Sequence, residues 1–366
     1  MKRSCLFLSV LLMNAFSSAI LHGAPADRLD TELETVRSKN DLPAMAGVVF
    51  TTAGLRAKGV CGVRKRGEAP KATDNDLWHI GSMTKMMTAT LAGTFVAEKK
   101  LAWTDKVSRF FPELAGKIDP SLRDITLNDL LSHRSGLKPN LRWPDLAGKG
   151  SVREQRVAAV QELLCNPPEF EPGTFHYSNS GYVVVGAILE SLGDKPWEEL
   201  IAERIFRPLG MKSPGFGGTG TPGKLDQPWG HQEKSGQPVG ANGPAVDNPP
   251  VMGPAGTLHM TLDDLTVFLT DQLRGAAGEK ALLPTEIYQE IQSPHPADGE
   301  YGYGWFILQR SWAGGKTLNH NGSNTMNYAV CWLSVPKRFG AVVTCNQRSV
   351  IGCDEAVSAL IQWFQR

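Results

Sequence analysis

This sequence is short of most things that mark a nucleic-acid binder, a membrane protein or a metalloprotein. Its 366 residues carry 38 Lys and Arg against 37 Asp and Glu, so no bulk field favours nucleic acid or an anionic membrane. No apolar run is long enough to cross a bilayer. The six cysteines form no Cys-x-x-Cys pair and the eight histidines no close pair, which leaves a zinc site without support. Gly-x-Ser-x-Gly does not occur, so the nucleophile elbow of an α/β-hydrolase is excluded, and P-loop glycine patterns are missing too. What remains is an ordinary globular composition, 41% hydrophobic and 20% charged, which argues against wholesale disorder. The length fits one large domain or two lobes.

Lys2 and Arg3, the apolar stretch Cys5 to Leu12, and the small residues Ala24-Pro25-Ala26 read as an export signal over residues 1–26. Asn14, Ser17, Ser18 and His22 break the apolar run too early for a membrane anchor. Cys5 precedes the end of that run, which disfavours a lipoprotein. Residues 27–366 are therefore expected in the periplasm or secreted, without a membrane span once the signal is removed. Disulfides persist there, and five cysteines remain: Cys61, Cys165, Cys331, Cys345 and Cys353. An odd count leaves at least one free or paired between chains. Cys331 and Cys345 flank an expected hairpin turn at Pro336 to Gly340, so a cross-strand bridge and two buried thiols both fit. Oligomeric state stays unknown.

Asp27 to Ser38 reads as a first helix, followed by strands at Ala46 to Thr51 and Leu55 to Val63 around a Gly54 turn. Trp78 to Ser82 leads into apolar helical sequence as far as Val96. Thr126 to Asp129 has the spacing of a capping box, and Gly136 is expected to stop that helix. Gly181 to Leu192 reads as an apolar helix, and Pro196 opens another whose face is Trp197, Leu200, Ile201 and Ile205. Ser213 to Gly256 is dense in Gly and Pro and reads as a surface excursion or a linker. A capped helix begins at Thr261. Strand-like sequence then covers Tyr303 to Leu308, Asn327 to Val335 and Gly340 to Thr344, before an amphipathic helix at Asp354 to Phe364. Strands at both ends with helices between imply an α/β lobe interrupted by a helical one.

Three constellations can carry chemistry. Ser82-Met83-Thr84-Lys85 places an amine one helical turn from a hydroxyl. Two other Ser-x-x-Lys matches exist, Ser135 to Lys138 and Ser334 to Lys337, but Gly136 and Pro139 break the first and Pro336 the second. Lys85 is the only charged residue between His79 and Glu98, so burial should lower its pKa and make it a base for Ser82. Ser82 also lies at a helix start, where backbone N–H groups favour developing negative charge. The competing reading makes Lys85 a snorkelling side chain and Ser82 a cap. Tyr177-Ser178-Asn179 offers a phenol that a cationic lysine could pull toward phenolate, and an amide able to pair with a substrate amide; taken alone, these residues read first as a turn with a packed tyrosine. Asn319 to Ser323, with His320 and Gly322, could bind extended substrate at a strand edge, or be a polar turn entering a strand.

Read in order, Ser82-x-x-Lys85, Tyr177-x-Asn179 and His320-x-Gly322 resemble the signatures of the serine β-lactamase and penicillin-binding-protein superfamily. The class C β-lactamase-related branch is the nearer likeness; it also holds DD-peptidases, D-aminopeptidases and small-ester hydrolases. Ile125 to Leu137, Phe170 to Thr174, Pro208 to Met211, Tyr301 to Trp305 and the final strand ending at Asn346 look like further family signatures, so the resemblance covers residues 28–365. It implies an α/β (α+β) fold: an antiparallel sheet flanked by helices, from about residues 27–80 and 295–366, with an inserted all-helical lobe at about 81–294. It makes Ser82 the acylated nucleophile, Lys85 its base and Tyr177 a proton shuttle. Asn179 would hold the acyl side chain or the lysine, and His320 would touch substrate or leaving group. Backbone N–H groups of Ser82 and Ser323, beside Gly322, would form the oxyanion hole. The activity implied is a secreted serine hydrolase without metal or cofactor, on a small-molecule or peptide substrate. Small esters or amides come first. A D-amino-acid peptidase (DD-carboxypeptidase) or weak class C-type β-lactamase is the alternative, and a non-catalytic penicillin- or peptidoglycan-binding protein a third. Two positions depart from the pattern: His320 replaces a lysine, and Met326 stands where relatives often carry glycine.

Overall fold

The structure, a computed structural model, describes residues 27–232 and 246–366. The export signal expected over residues 1–26, and part of the Gly- and Pro-rich stretch, lie outside the described residues. Ten strands are described: β1 (Asp27–Arg28), β2 (Ala44–Thr51), β3 (Gly54–Gly62), β4 (Trp78–His79), β5 (Gly215–Phe216), β6 (Leu258–Met260), β7 (Phe306–Arg310), β8 (Gly315–Ser323), β9 (Tyr328–Ser334) and β10 (Phe339–Cys345). Seven form one sheet in the order β1-β3-β2-β10-β9-β8-β7, antiparallel except for β1 beside β3. The centre of the sheet is thus built from both ends of the chain. This is the antiparallel sheet with flanking helices that the resemblance implies. Two short strands inside residues 81–294 add to the helical lobe: β6 pairs with both β4 and β5.

Apolar alternation explains how the sheet is covered. Along β2, Ala44, Ala46, Val48 and Phe50 face the larger core, while Met45 and Val49 face a second one. Both faces are buried, so the central strands read as unbroken apolar runs. Helices α1 (Asp30–Lys39) and α11 (Val350–Gln365) cover the second face. The larger core gathers α2 (Thr84–Ala97), α3 (Leu127–Leu131), α4 (Val152–Leu164), α5 (Asn179–Gly193), α6 (Trp197–Ile201), α7 (Arg207–Leu209), α8 (Gly253–Gly256), α9 (Leu262–Ala276) and α10 (Thr285–Ile291) on and beside the other face. Among the described residues no helix is long and apolar enough to cross a membrane.

Register settles the cysteine question. Cys331 pairs with Val342 and Cys345 with Tyr328, and the two thiols belong to cores on opposite faces of the sheet. Side chains on opposite faces cannot be bridged without rebuilding the strands. All five described cysteines are free. Helix α3 has the full capping box of Thr126 and Asp129, yet stops at Leu131 rather than running on to Gly136. His133 takes a left-handed φ of 62° two residues later, which no α-helix continues through.

Candidate active site

The cleft is defined where the start of α2 meets the end of β8. Gly81 has φ +50° and opens a 3-10 turn, Gly81–Met83, that places Ser82 at the entrance to α2. A Cβ on Gly81 would lie 2.2 Å from the Ser323 nitrogen, and one on Gly322 would lie 2.0 Å from the Ile80 oxygen and 2.5 Å from the Ser82 nitrogen. Two missing side chains therefore let these backbones touch. Ser82 is half-buried, and Ser323 flanks it from the strand side.

Lys85 lies one turn into α2 and is wholly buried. Its Nζ is 3.1 Å from Ser82 Oγ, 2.7 Å from Asn179 Oδ1 and 2.7 Å from the Ala255 carbonyl. Burial alone drives the amine well below its usual range, with no acidic group opposing the shift. A neutral amine has two N–H bonds and one lone pair. In the neutral form that burial favours, the two oxygens at 2.7 Å take the N–H bonds and the lone pair is free to meet the Ser82 hydroxyl at 3.1 Å. The neighbouring bonds explain how α2 is held: Thr88 Oγ1 donates to the Pro254 carbonyl at 2.7 Å, and the Ile80 amide donates to the Leu258 carbonyl at 3.0 Å.

Tyr177 immediately precedes Ser178, the N-cap of α5, whose hydroxyl accepts from the Gly181 amide. The Lys85 amine lies 4.9 Å from the Tyr177 ring centroid. Burial pushes the phenol above its ordinary range, opposed by a hydrogen bond with Ser82. Burial thus weighs against the phenolate that a cationic lysine would favour. Asn179 is the first residue of α5, and its Nδ2 donates to Asn140 Oδ1 at 2.8 Å while its Oδ1 takes the lysine. Of its two expected uses, the geometry has it holding the lysine.

His320 lies on β8 and is buried. Its Nδ1–H donates to the Asn321 carbonyl at 2.6 Å, and its Nε2 accepts from the Tyr301 hydroxyl at 3.1 Å. Burial is the chief cause that pushes its pKa down to about 3. The ring is neutral, and neither nitrogen is left for a ligand. Ser82, Lys85, Tyr177, Asn179, His320, Gly322 and Ser323 all border one region. The other Ser-x-x-Lys pairs do not form: the Ser334 hydroxyl donates to the Ala313 carbonyl while the Lys337 amine donates to Trp312, and Lys138 is exposed. Reasoning from sequence gave no role to Ala255, Asn140, His133 or Tyr301. A backbone carbonyl leaves no trace in sequence; His133 and Tyr301 at least fall inside stretches that look like family signatures. Among the described residues no group of three or more His, Cys, Asp or Glu could hold a metal ion.

A sheet built from both chain ends, an inserted helical lobe and a Ser-x-x-Lys turn at their junction define a protein of β-lactamase/transpeptidase type. The chain belongs to the Beta-lactamase family, whose model matches residues 29–361. Membership puts it among hydrolases of that superfamily. It is 24% identical over 393 residues to a protein of Escherichia coli (strain K12) provisionally named a D-alanyl-D-alanine carboxypeptidase, covering 93% of this chain and 85% of that one. Among solved structures, a class C β-lactamase from Rhodobacter sphaeroides superposes with TM-score 0.72 at 19% identity, covering 92% of this chain and 99% of that one. The D-alanine carboxypeptidase AmpC from Burkholderia cenocepacia gives 0.71 at 19%, covering 91% and 97%. An octameric penicillin-binding protein homologue from Pyrococcus abyssi gives 0.71 at 23%, covering 92% and 77%. These structural likenesses speak to the fold.

Two outcomes follow from the geometry. Gly322→Ala should displace the turn before α2 and slow acylation by about a hundredfold, the order expected for a misplacement near 1 Å, while the circular-dichroism spectrum stays native. Wild-type acylation by this variant would contradict the close approach. The second concerns pH. A lysine base works only when deprotonated, so the labelling rate with a neutral serine-reactive probe should rise with pH through one ionisation and level off well below pH 10.5. A profile still climbing through pH 10.5 would mean that Lys85 is an ordinary, charged lysine.

Proposed function

We propose that the protein is an exported serine hydrolase that works through an acyl-enzyme on Ser82, with small esters or amides as substrates. The observation that carries this reading is the Lys85 amine, buried without a counter-ion and 3.1 Å from Ser82 Oγ. Ser82 Oγ attacks the substrate carbonyl carbon as its proton passes to Lys85 Nζ. The oxyanion is held by the backbone N–H groups of Ser82 and Ser323. As the carbon–leaving-group bond breaks, Tyr177 protonates the departing oxygen or nitrogen and recovers a proton from the Lys85 ammonium. Water then attacks the ester on Ser82, its proton returns through the same pair, and the acid product leaves with Ser82 restored.

His320 directs the choice of substrate. An ammonium at this position would attract a carboxylate, worth about 1 kcal/mol at 4 Å in water-like surroundings and about 4 kcal/mol near a surface. A neutral imidazole forgoes that attraction, a loss of about fivefold to nearly a thousandfold in binding. The Arg134 guanidinium is tied to the carbonyls of His295 and Gly173 by its Nε and Nη1. Lys316 sits four residues back along β8, about 13 Å away at the rise of a strand. A neutral ester or amide loses nothing. A second reading, a peptidase for D-amino-acid peptides with weak action on β-lactams, draws on the provisional name of the Escherichia coli relative. A purely binding role leaves the paired Ser82 and Lys85 without a use.

Intact-mass spectrometry with a fluorophosphonate should show one adduct, mapping to Ser82 and absent in Ser82→Ala. Labelling at Ser135 or Ser334, or turnover by Ser82→Ala, would remove the basis of the proposal. On a panel of substrates, short neutral esters should exceed penicillins and cephalosporins in kcat/KM between pH 6 and 8, and His320→Lys should narrow the gap by about fivefold or more. Faster β-lactam hydrolysis by the wild-type protein would favour the second reading.

A further inference from the structure

His133 lies outside the Ser82–Lys85 pair, yet it touches both walls of the cleft. Its carbonyl accepts from the His176 amide at 2.8 Å, and its Nδ1 accepts from the Ser178 amide at 3.0 Å. These are the two amides that flank Tyr177. Its ring also lies against the Tyr177 ring, with centroids 4.2 Å apart at 39°. His133 takes a left-handed φ of 62°, a conformation that histidine adopts more readily than most side chains.

The tautomers follow from the partners. Because Nδ1 of His133 accepts from Ser178, its proton resides on Nε2, which is 3.2 Å from the Tyr301 hydroxyl and donates to it. Tyr301, having accepted, donates its own hydrogen to His320 Nε2 at 3.1 Å. His320 must then carry its proton on Nδ1, where the Asn321 carbonyl accepts it at 2.6 Å. The four bonds form one chain of fixed direction, from the Ser178 amide to the Asn321 carbonyl, through three buried rings.

We propose that His133 is a positioning residue: it sets the orientation of Tyr177 directly and, through Tyr301, holds the His320 ring by the hydrogen bond that its Nε2 accepts. This rests on the acyl-enzyme reading for its effect on rate, but the tautomer assignment stands apart from it. One histidine thereby couples the element before α5 to β8, so that proton donor and strand wall keep a single geometry during turnover.

The test uses the full-length enzyme, 4-nitrophenyl acetate, a fluorophosphonate probe and imidazole nitrogen NMR. In the wild-type protein at pH 7, His133 should be protonated at Nε2 alone and His320 at Nδ1 alone. The opposite tautomer or a doubly protonated ring at either position overturns the proposal without reference to activity. His133→Asn retains an acceptor for Ser178 and tolerates the left-handed backbone, but loses the ring contact and the donor to Tyr301. It should lower kcat and the Ser82 labelling rate about tenfold to a hundredfold, with KM changed less than about threefold. Tyr301→Phe leaves the contact with Tyr177 and should cost less in kcat, while His320 keeps its proton on Nδ1 and its Nε2 resonance shifts as the hydrogen bond to it is lost. Wild-type kcat in His133→Asn, or a loss confined to KM, overturns the positioning role. Failure of Ser82 to label in the wild-type enzyme would instead sink the acyl-enzyme reading, and the NMR result would still decide the tautomers.

Discussion

One buried amine constrains the rest of the site. Lys85 has no carboxylate partner, so burial weighs against its charged form, and its amine is held by the Asn179 and Ala255 oxygens beside Ser82 Oγ. The surrounding side chains make that tolerable. Met83, Met86, Met87, Leu91 and Phe95 are wholly buried around the same helix, and each contributes about 1.5–3 kcal/mol relative to exposure. A base is thus obtained by desolvation rather than by a neighbouring acid, and its strength depends on how completely water is kept out.

The carbonyl that receives Lys85 must itself be held. Ala255 lies in a short turn whose upstream residues are gripped by Arg156, which donates to the carbonyls of Val251 at 3.2 Å and Pro250 at 2.9 Å. Arg156 is wholly buried and paired with Glu190 and Glu198. Removing one partner of such a buried cluster costs about 3–5 kcal/mol. The ion cluster in the helical lobe and the amine in the cleft are therefore parts of one arrangement: charge is spent where it positions backbone and excluded where chemistry needs a lone pair.

The opposite wall is electrically quiet. His133, Tyr301 and His320 are buried and neutral, with each histidine held below its ordinary range chiefly by burial. A cleft with a neutral base, a neutral phenol and a neutral imidazole offers a charged substrate group little compensation for leaving water. That is the physical content of the preference for uncharged esters or amides.

Much of this was legible in the sequence, and the reasons are specific. The absence of charge from His79 to Glu98 marked Lys85 as buried, and helical spacing then placed it on Ser82. Apolar runs and the Gly54 turn located β2 and β3 to within two residues at either end. Glycine and proline within the other two Ser-x-x-Lys matches showed that neither could hold an amine against a hydroxyl. Tertiary structure decided the rest. Whether Cys331 and Cys345 can meet depends on strand register, a relation between residues on different strands. Whether Tyr177 ionises depends on the charge state of a lysine 92 positions earlier in the chain, and that charge state depends on burial. The Ala255 carbonyl and the tautomer of His320 depend on backbone and hydrogen-bond direction, which no side-chain pattern encodes. Local sequence determines which groups are present and what helix or strand carries them; only packing decides which lone pair faces which proton.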